Sequence, residues 1–304
     1  MKLPSRRLPV PTHDLQHLPS DLPWDAPAYL LLDGVSVENL PKRLYEWAES
    51  PDFDVLYLET PWAELSDVSP CLIRLGGQYD PALAAFMQSS HAEWGYLLFS
   101  HASRDALLKH LRWLLCVSHP LGEKMLLRLA DPAVMHALLN QTTQDNDATL
   151  SGPLEQIVAA DRIENVWHRH QRPGSTVITQ QDRPYQLSDN QLDILGEVAF
   201  RNILISLDAH MRDYFPHYQT TLSPTQRWQH LRTLAERAYS LGFSSEYEIT
   251  LYANLFGLLG DDALDRNPDI ATLVNQSSPL TPTQRIEQAA DLAYARASSA
   301  ERTS

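Results

Sequence analysis

Hydrophobic and polar positions divide this chain into two regimes. In the first, short apolar runs alternate with stripes of helical period. "AYLLLDG" (Ala28–Gly34) reads as a short apolar strand closed by an Asp-Gly turn. Behind it Val37, Leu40, Leu44 and Trp47 recur at helical spacing, and Pro41 marks the start of that helix. Phe53–Glu59, Cys71–Gly76, Trp94–Ser100 and Lys124–Ala130 read as further strands. Pro81–Ser90, the leucine stripe after Ser103 and Asp131–Leu139 read as helices, the first with proline at its opening position. Such alternation predicts an α/β or α+β lobe around a mostly buried sheet.

The second regime begins at Ser188, where helix-start signals repeat. Ser188, Ser223, Ser245 and Thr281 each stand three residues before a Gln or Glu, namely Gln191, Gln226, Glu248 and Gln284. This is the capping-box spacing, in which a hydroxyl takes an orphan amide and the later side chain reaches back. An apolar stripe of helical period follows each cap, and Gly242 provides a helix stop. The pattern predicts a Pro-rich extended arm (residues 1–25) and a mixed sheet-and-helix domain (26–187). That domain includes a polar linker near 140–153 and a β-hairpin near 162–181. An all-α lobe (188–304) completes the chain.

Charge and composition narrow the function. Apolar residues make up 43% and charged residues 20%, which suits a globular protein. The net charge of −14 argues against nucleic acid and anionic membrane surfaces, which attract basic patches. The basic N-terminus lacks the apolar segment of a secretory signal, and no run approaches the ~18 apolar residues of a membrane helix. The expectation is a cytoplasmic protein. Cys71 and Cys116 sit in apolar runs without a CxxC pair and read as buried free thiols.

Candidate chemistry is sparse. No GxSxG, HExxH, phosphate-loop or dinucleotide fingerprint is present, and "RLGGQYD" reads as a turn. His168 and His170 share one face of a strand and could ligate a metal, but no cysteine or second HxH completes the set, so they read as exposed strand histidines. Asp261, Asp262, Asp265 and Asp269 lack calcium-loop spacing and read as a solvated interhelix loop. His101 and His119 each follow a serine, which does not make a triad. The reading assigns no catalytic, cofactor or metal residue. Trp24 and Trp62, in Pro-flanked loops, are the candidate partner anchors. Arg128, Asp131 and His136 lie together in "KMLLRLADPAVMHALL". There Asp131 has the place of an N-cap, Pro132 that of the first helical residue, and Arg128 stands three residues ahead.

Three stretches, "YLLLDGVSVENLPKRLYEW", "WGYLLFSHASRDALLKHLRWLLCV" and "GEKMLLRLADPAVMHALL", resemble in order and spacing the adaptor/chaperone family of bacterial type VI secretion. The Trp94-Gly95 pair and the Arg128, Asp131, Pro132 motif carry the resemblance. Ala130 and Ala133 stand where the family often has an aromatic residue and an arginine. The resemblance implies a non-enzymatic protein without cofactors. Its partners would be a cognate secreted effector (a toxin), bound in the cytosol, and the VgrG spike onto which the effector is loaded. A metal-dependent hydrolase using His168, His170 and the Asp261–Asp269 cluster is the rival reading; an interaction module of another pathway is a third.

Overall fold

A computed structural model describes residues 14–174, 181–276 and 278–301. The chain divides into two units, residues 1–198 and 199–304.

The first unit is built on a six-stranded sheet of order β2-β3-β1-β4-β7-β8. Its strands are β1 (Ala28–Leu32), β2 (Phe53–Val55), β3 (Cys71–Arg74), β4 (Gly95–Phe99), β7 (Gln156–Asp161) and β8 (Val166–Gln171). Every pairing in it is antiparallel, so the α+β form of the expectation holds. β1 and β4 are buried at every position. Side chains alternate across a strand, and two cores result. Tyr29, Leu31, Tyr96 and Leu98 pack on one face with leucines of α3 (Arg104–Leu115) and α4 (Pro132–Gln144). Leu30, Leu32, Leu97 and Phe99 pack on the other with residues of α1 (Leu40–Trp47) and α2 (Pro81–Gln88). The runs "YLLL" and "YLLF" are continuous rather than alternating because both faces are covered. Leu15, Leu22 and Ala26 are buried in the second core, so the described part of the N-terminal stretch packs against the sheet.

Several sequence-predicted features differ. Lys124–Ala130 is not a central strand. β6 covers only Lys124–Leu126, is exposed, and joins β5 (Cys116–Ser118) and β9 (Tyr185–Gln186) in a separate three-stranded sheet. β4 already has β1 and β7 as neighbours, so the main sheet offers this run no place beside it. The apolar residues Leu127, Leu129 and Ala130 are buried from a bent segment instead. The predicted strand Phe53–Glu59 stops at Val55, after which the Tyr57 amide donates to Ser69 Oγ at 2.9 Å rather than to a strand. The hairpin pairs β7 with β8; of the return strand expected over Ser175–Gln181, residues 175–180 lie outside the described residues. Helix α4 runs on to Gln144, into the stretch read as linker. Cys71 is buried, with its thiol pushed up to about 12 by burial, whereas Cys116 is only half-buried; both are free thiols.

Helix α5 (Asp189–Tyr214) begins in the first unit. The rest of the second unit is all-helical: α6 (Pro224–Ser240), α7 (Glu246–Leu259), the short α8 (Ala263–Arg266), α9 (Pro268–Asn275) and α10 (Pro282–Glu301). All four capping boxes form. Buried Arg285 gathers helix ends by donating to the carbonyls of Val274, Gln276 and Leu241 at 3.1–3.2 Å, with its guanidinium 5.0 Å from the Phe243 ring. Those carbonyls have no helical amide to accept, so one planar donor fork satisfies them together. No helix among the described residues is long and apolar enough to cross a membrane.

Candidate functional site

The family motif Arg128, Asp131 and Pro132 sits where the chain enters α4. Asp131 is the N-cap: its Oδ1 accepts the amides of Ala133 at 2.9 Å and Val134 at 3.2 Å. Pro132 follows as the first helical residue, where a missing N–H costs nothing. The Arg128 guanidinium lies 3.7 Å from Asp131 Oδ2, but its closer partner is Asp33 Oδ2 at 2.5 Å. Asp33 follows β1 and is buried; it also accepts the Ser36 hydroxyl at 2.9 Å and the Val35 amide at 3.2 Å. Burial raises the Tyr57 hydroxyl pKa, Asp33 raises it further, and Arg128 opposes both. Arg128 thus bridges two carboxylates, one at a strand end and one at a helix start. Asp33 also holds a turn hydroxyl and amide, and Asp131 caps a helix, so the contacts seen here are cohesive.

The Trp94-Gly95 motif is structural for a definable reason. A Cβ at Gly95 would lie 2.0 Å from the Leu31 carbonyl oxygen, so only glycine lets β4 approach β1 this closely. Trp94 stacks on Trp47 with ring centroids 5.7 Å apart, and Arg43 lies 5.9 Å from its ring. Trp24 and Trp62 are both half-buried. Trp24 meets Phe99 edge-on at 5.4 Å, and Trp62 leans on Tyr57 at 6.4 Å.

Histidines assemble where the sequence did not lead. His168 and His170 do share a face of β8, but both are half-buried rather than exposed, because α4 brings His136 onto them. The His136 and His168 rings stack at 3.7 Å, and His136 Nδ1 lies 2.9 Å from His170 Nε2. Burial and the two neighbouring imidazoles push His170 down to about 3. Asp161, Glu164 and His168 each place a possible ligand atom within 4.8 Å of the others. The only sequence signal was the HxH spacing; the contribution of His136 depends on α4 lying over β7 and β8.

The remaining candidates are engaged elsewhere. Asp261 accepts Tyr218 and Gln219, Asp262 pairs with Arg266, and Asp269 pairs with Arg296; Asp265 lies in α8 and Asp269 in the first turn of α9, so the stretch read as a solvated loop is largely helical. Ser100 donates its hydroxyl to the Pro153 carbonyl while His101 pairs with Glu155, so these neighbours are not nucleophile and base. His119 Nδ1 accepts the Leu121 amide in a turn.

An antiparallel sheet covered on both faces, whose shared motif caps a helix, defines an α+β domain. Residues 28–148 match the family described as a domain of unknown function (DUF4123). The chain is also 32% identical over 276 residues to the accessory protein VasW of Vibrio cholerae serotype O1, covering 88% of this chain and 87% of VasW. No solved structure matches. The chain belongs to this family, the type VI secretion adaptor family that its N-terminal motifs resemble.

Proposed function

We propose that this protein is a non-enzymatic adaptor that binds a cognate type VI secretion effector in the cytosol and promotes its loading onto the VgrG spike. The observation that carries the reading is the 32% identity to an accessory protein across both units, rather than in the N-terminal domain alone. A family motif built as an ion-paired helix cap is compatible with the same reading. So is the net charge of −14, which suits a soluble protein-binding partner more than one for nucleic acid. Trp24 and Trp62 are the proposed partner anchors, because each presents part of a large aromatic surface that the core does not cover.

The test is co-purification of the chain with the toxin encoded beside it, together with deletion of the chain. The expected outcome is a stable complex, and loss of effector from the spike fraction in the deletion strain. An effector that stays soluble and reaches VgrG equally well without this protein overturns the reading.

A further inference from the structure

The tip of the β7–β8 hairpin gathers donors that the adaptor reading does not use. Asp161 closes β7, Glu164 lies in the turn, and His168 is carried by β8. Asp161 Oδ1 accepts the amides of Ile163 at 2.8 Å and Glu164 at 3.1 Å, a turn contact that orients the carboxylate. Its Oδ2 faces His168 Nε2 at 3.4 Å, and Glu164 Oε2 stands 3.7 Å from the same nitrogen.

These separations suit a small dication. Two ligands at about 2.0–2.1 Å from a tetrahedral zinc stand roughly 3.4 Å from each other. The Asp161–His168 pair already has that spacing, and Glu164, on an exposed turn, needs only a small side-chain shift. The imidazole is held in place, since the His136 ring from α4 stacks on it at 3.7 Å with planes inclined by 22°. A fixed ring on a strand beside an oriented carboxylate is a preorganised pair of ligands.

We propose that Asp161, Glu164 and His168 bind one divalent transition-metal ion of the zinc class. The donor set selects that class. An imidazole with carboxylates suits zinc and its neighbours, whereas calcium takes six to eight oxygens and magnesium an octahedral oxygen shell. Two carboxylates match the charge of a dication. Water would complete the coordination, as at any three-ligand zinc site.

Titration of the metal-stripped full-length protein with zinc chloride by calorimetry tests this, with cobalt(II) absorption reporting the coordination. One zinc per chain is expected, and His168→Ala and Glu164→Gln should each weaken binding at least about tenfold, the scale on which even outer-shell changes act. Asp161→Asn keeps an oxygen for the turn and should weaken binding likewise. His170→Ala, whose ring lies outside the three ligands, should retain it. Circular dichroism checks that each variant folds, and Glu164→Gln, on the exposed turn, provides the cleanest comparison. Absence of one-to-one uptake by the wild type overturns the site. So does unchanged affinity in His168→Ala and Glu164→Gln, or loss of binding in His170→Ala with retention in Glu164→Gln. Effector loading is a separate measurement, so either reading can fail without the other.

Discussion

Arg128 reaches back 95 residues to the buried carboxylate of Asp33, and this contact ties the entrance of α4 to the end of β1. Asp131 stands only three residues from Arg128 in sequence, yet its carboxylate is the more distant of the two. Removal of the guanidinium leaves Asp33 with only the Ser36 hydroxyl and the Val35 amide among these partners. Arg128 is itself half-exposed, which moderates the loss. Arg128→Ala is expected to cost about 1–2 kcal/mol in urea unfolding, from the penalty of an under-satisfied buried acceptor. The same substitution in an Asp33→Asn background should cost clearly less; equal costs in both backgrounds would separate the two residues energetically.

Asp131→Ala removes the N-cap of α4 and is expected to cost about 0.5–2 kcal/mol. Asp131→Ser keeps a capping oxygen and should recover most of it. Effector loading should fall in Asp131→Ala only as far as folded protein falls. A fully stable variant that has lost loading would give the motif a direct role in contacting the partner.

Gly95→Ala sets a methyl group against the Leu31 carbonyl between two central strands. Overpacking typically costs about 1–3 kcal/mol, and here the obstacle is backbone, which yields less than a side chain. Expression at reduced temperature and thermal unfolding should show a clear fall in stability. A Gly95→Ala protein as stable as wild type would contradict the close approach.

His110 gives the first unit a pH dependence. It is buried in α3, its Nε2 lies 3.0 Å from the Leu150 carbonyl, and burial pushes it down to about 4. The unfolded chain protonates near pH 6.5, whereas the folded chain resists until about 4. Between those values the unfolded state binds more protons, so stability is present above pH 6.5 and is lost as pH falls toward 4. The slope from this group approaches about 1.4 kcal/mol per pH unit. His110→Gln, which keeps a donor for Leu150, should flatten the decline of urea midpoints between pH 6.5 and 4.5; an unchanged slope would assign the pH dependence elsewhere.

How much of this protein was legible from its sequence depends on whether a feature is local. The caps at Asp131, Ser188, Ser223, Ser245 and Thr281 were readable because a cap is a contact within three residues, set by side-chain chemistry and backbone geometry. The strands β1, β3 and β4 were readable because continuous apolar runs of that length have few other homes. The segment Lys124–Ala130 was not, since a greasy run does not say whether a sheet has room beside it. Leu127, Leu129 and Ala130 satisfy the same hydrophobic demand from a bend.

Sequence alone therefore determined the strands β1, β3 and β4, the capped helix starts, the all-helical C-terminal region and the family motif, all of which are properties of neighbouring residues. Tertiary structure decided the antiparallel strand order, the pairing of Arg128 with Asp33, and the meeting of His136 with His168 and His170. Those contacts join residues tens of positions apart. They are fixed by how α4 and the sheet pack to bury two apolar faces, and no local pattern encodes that outcome.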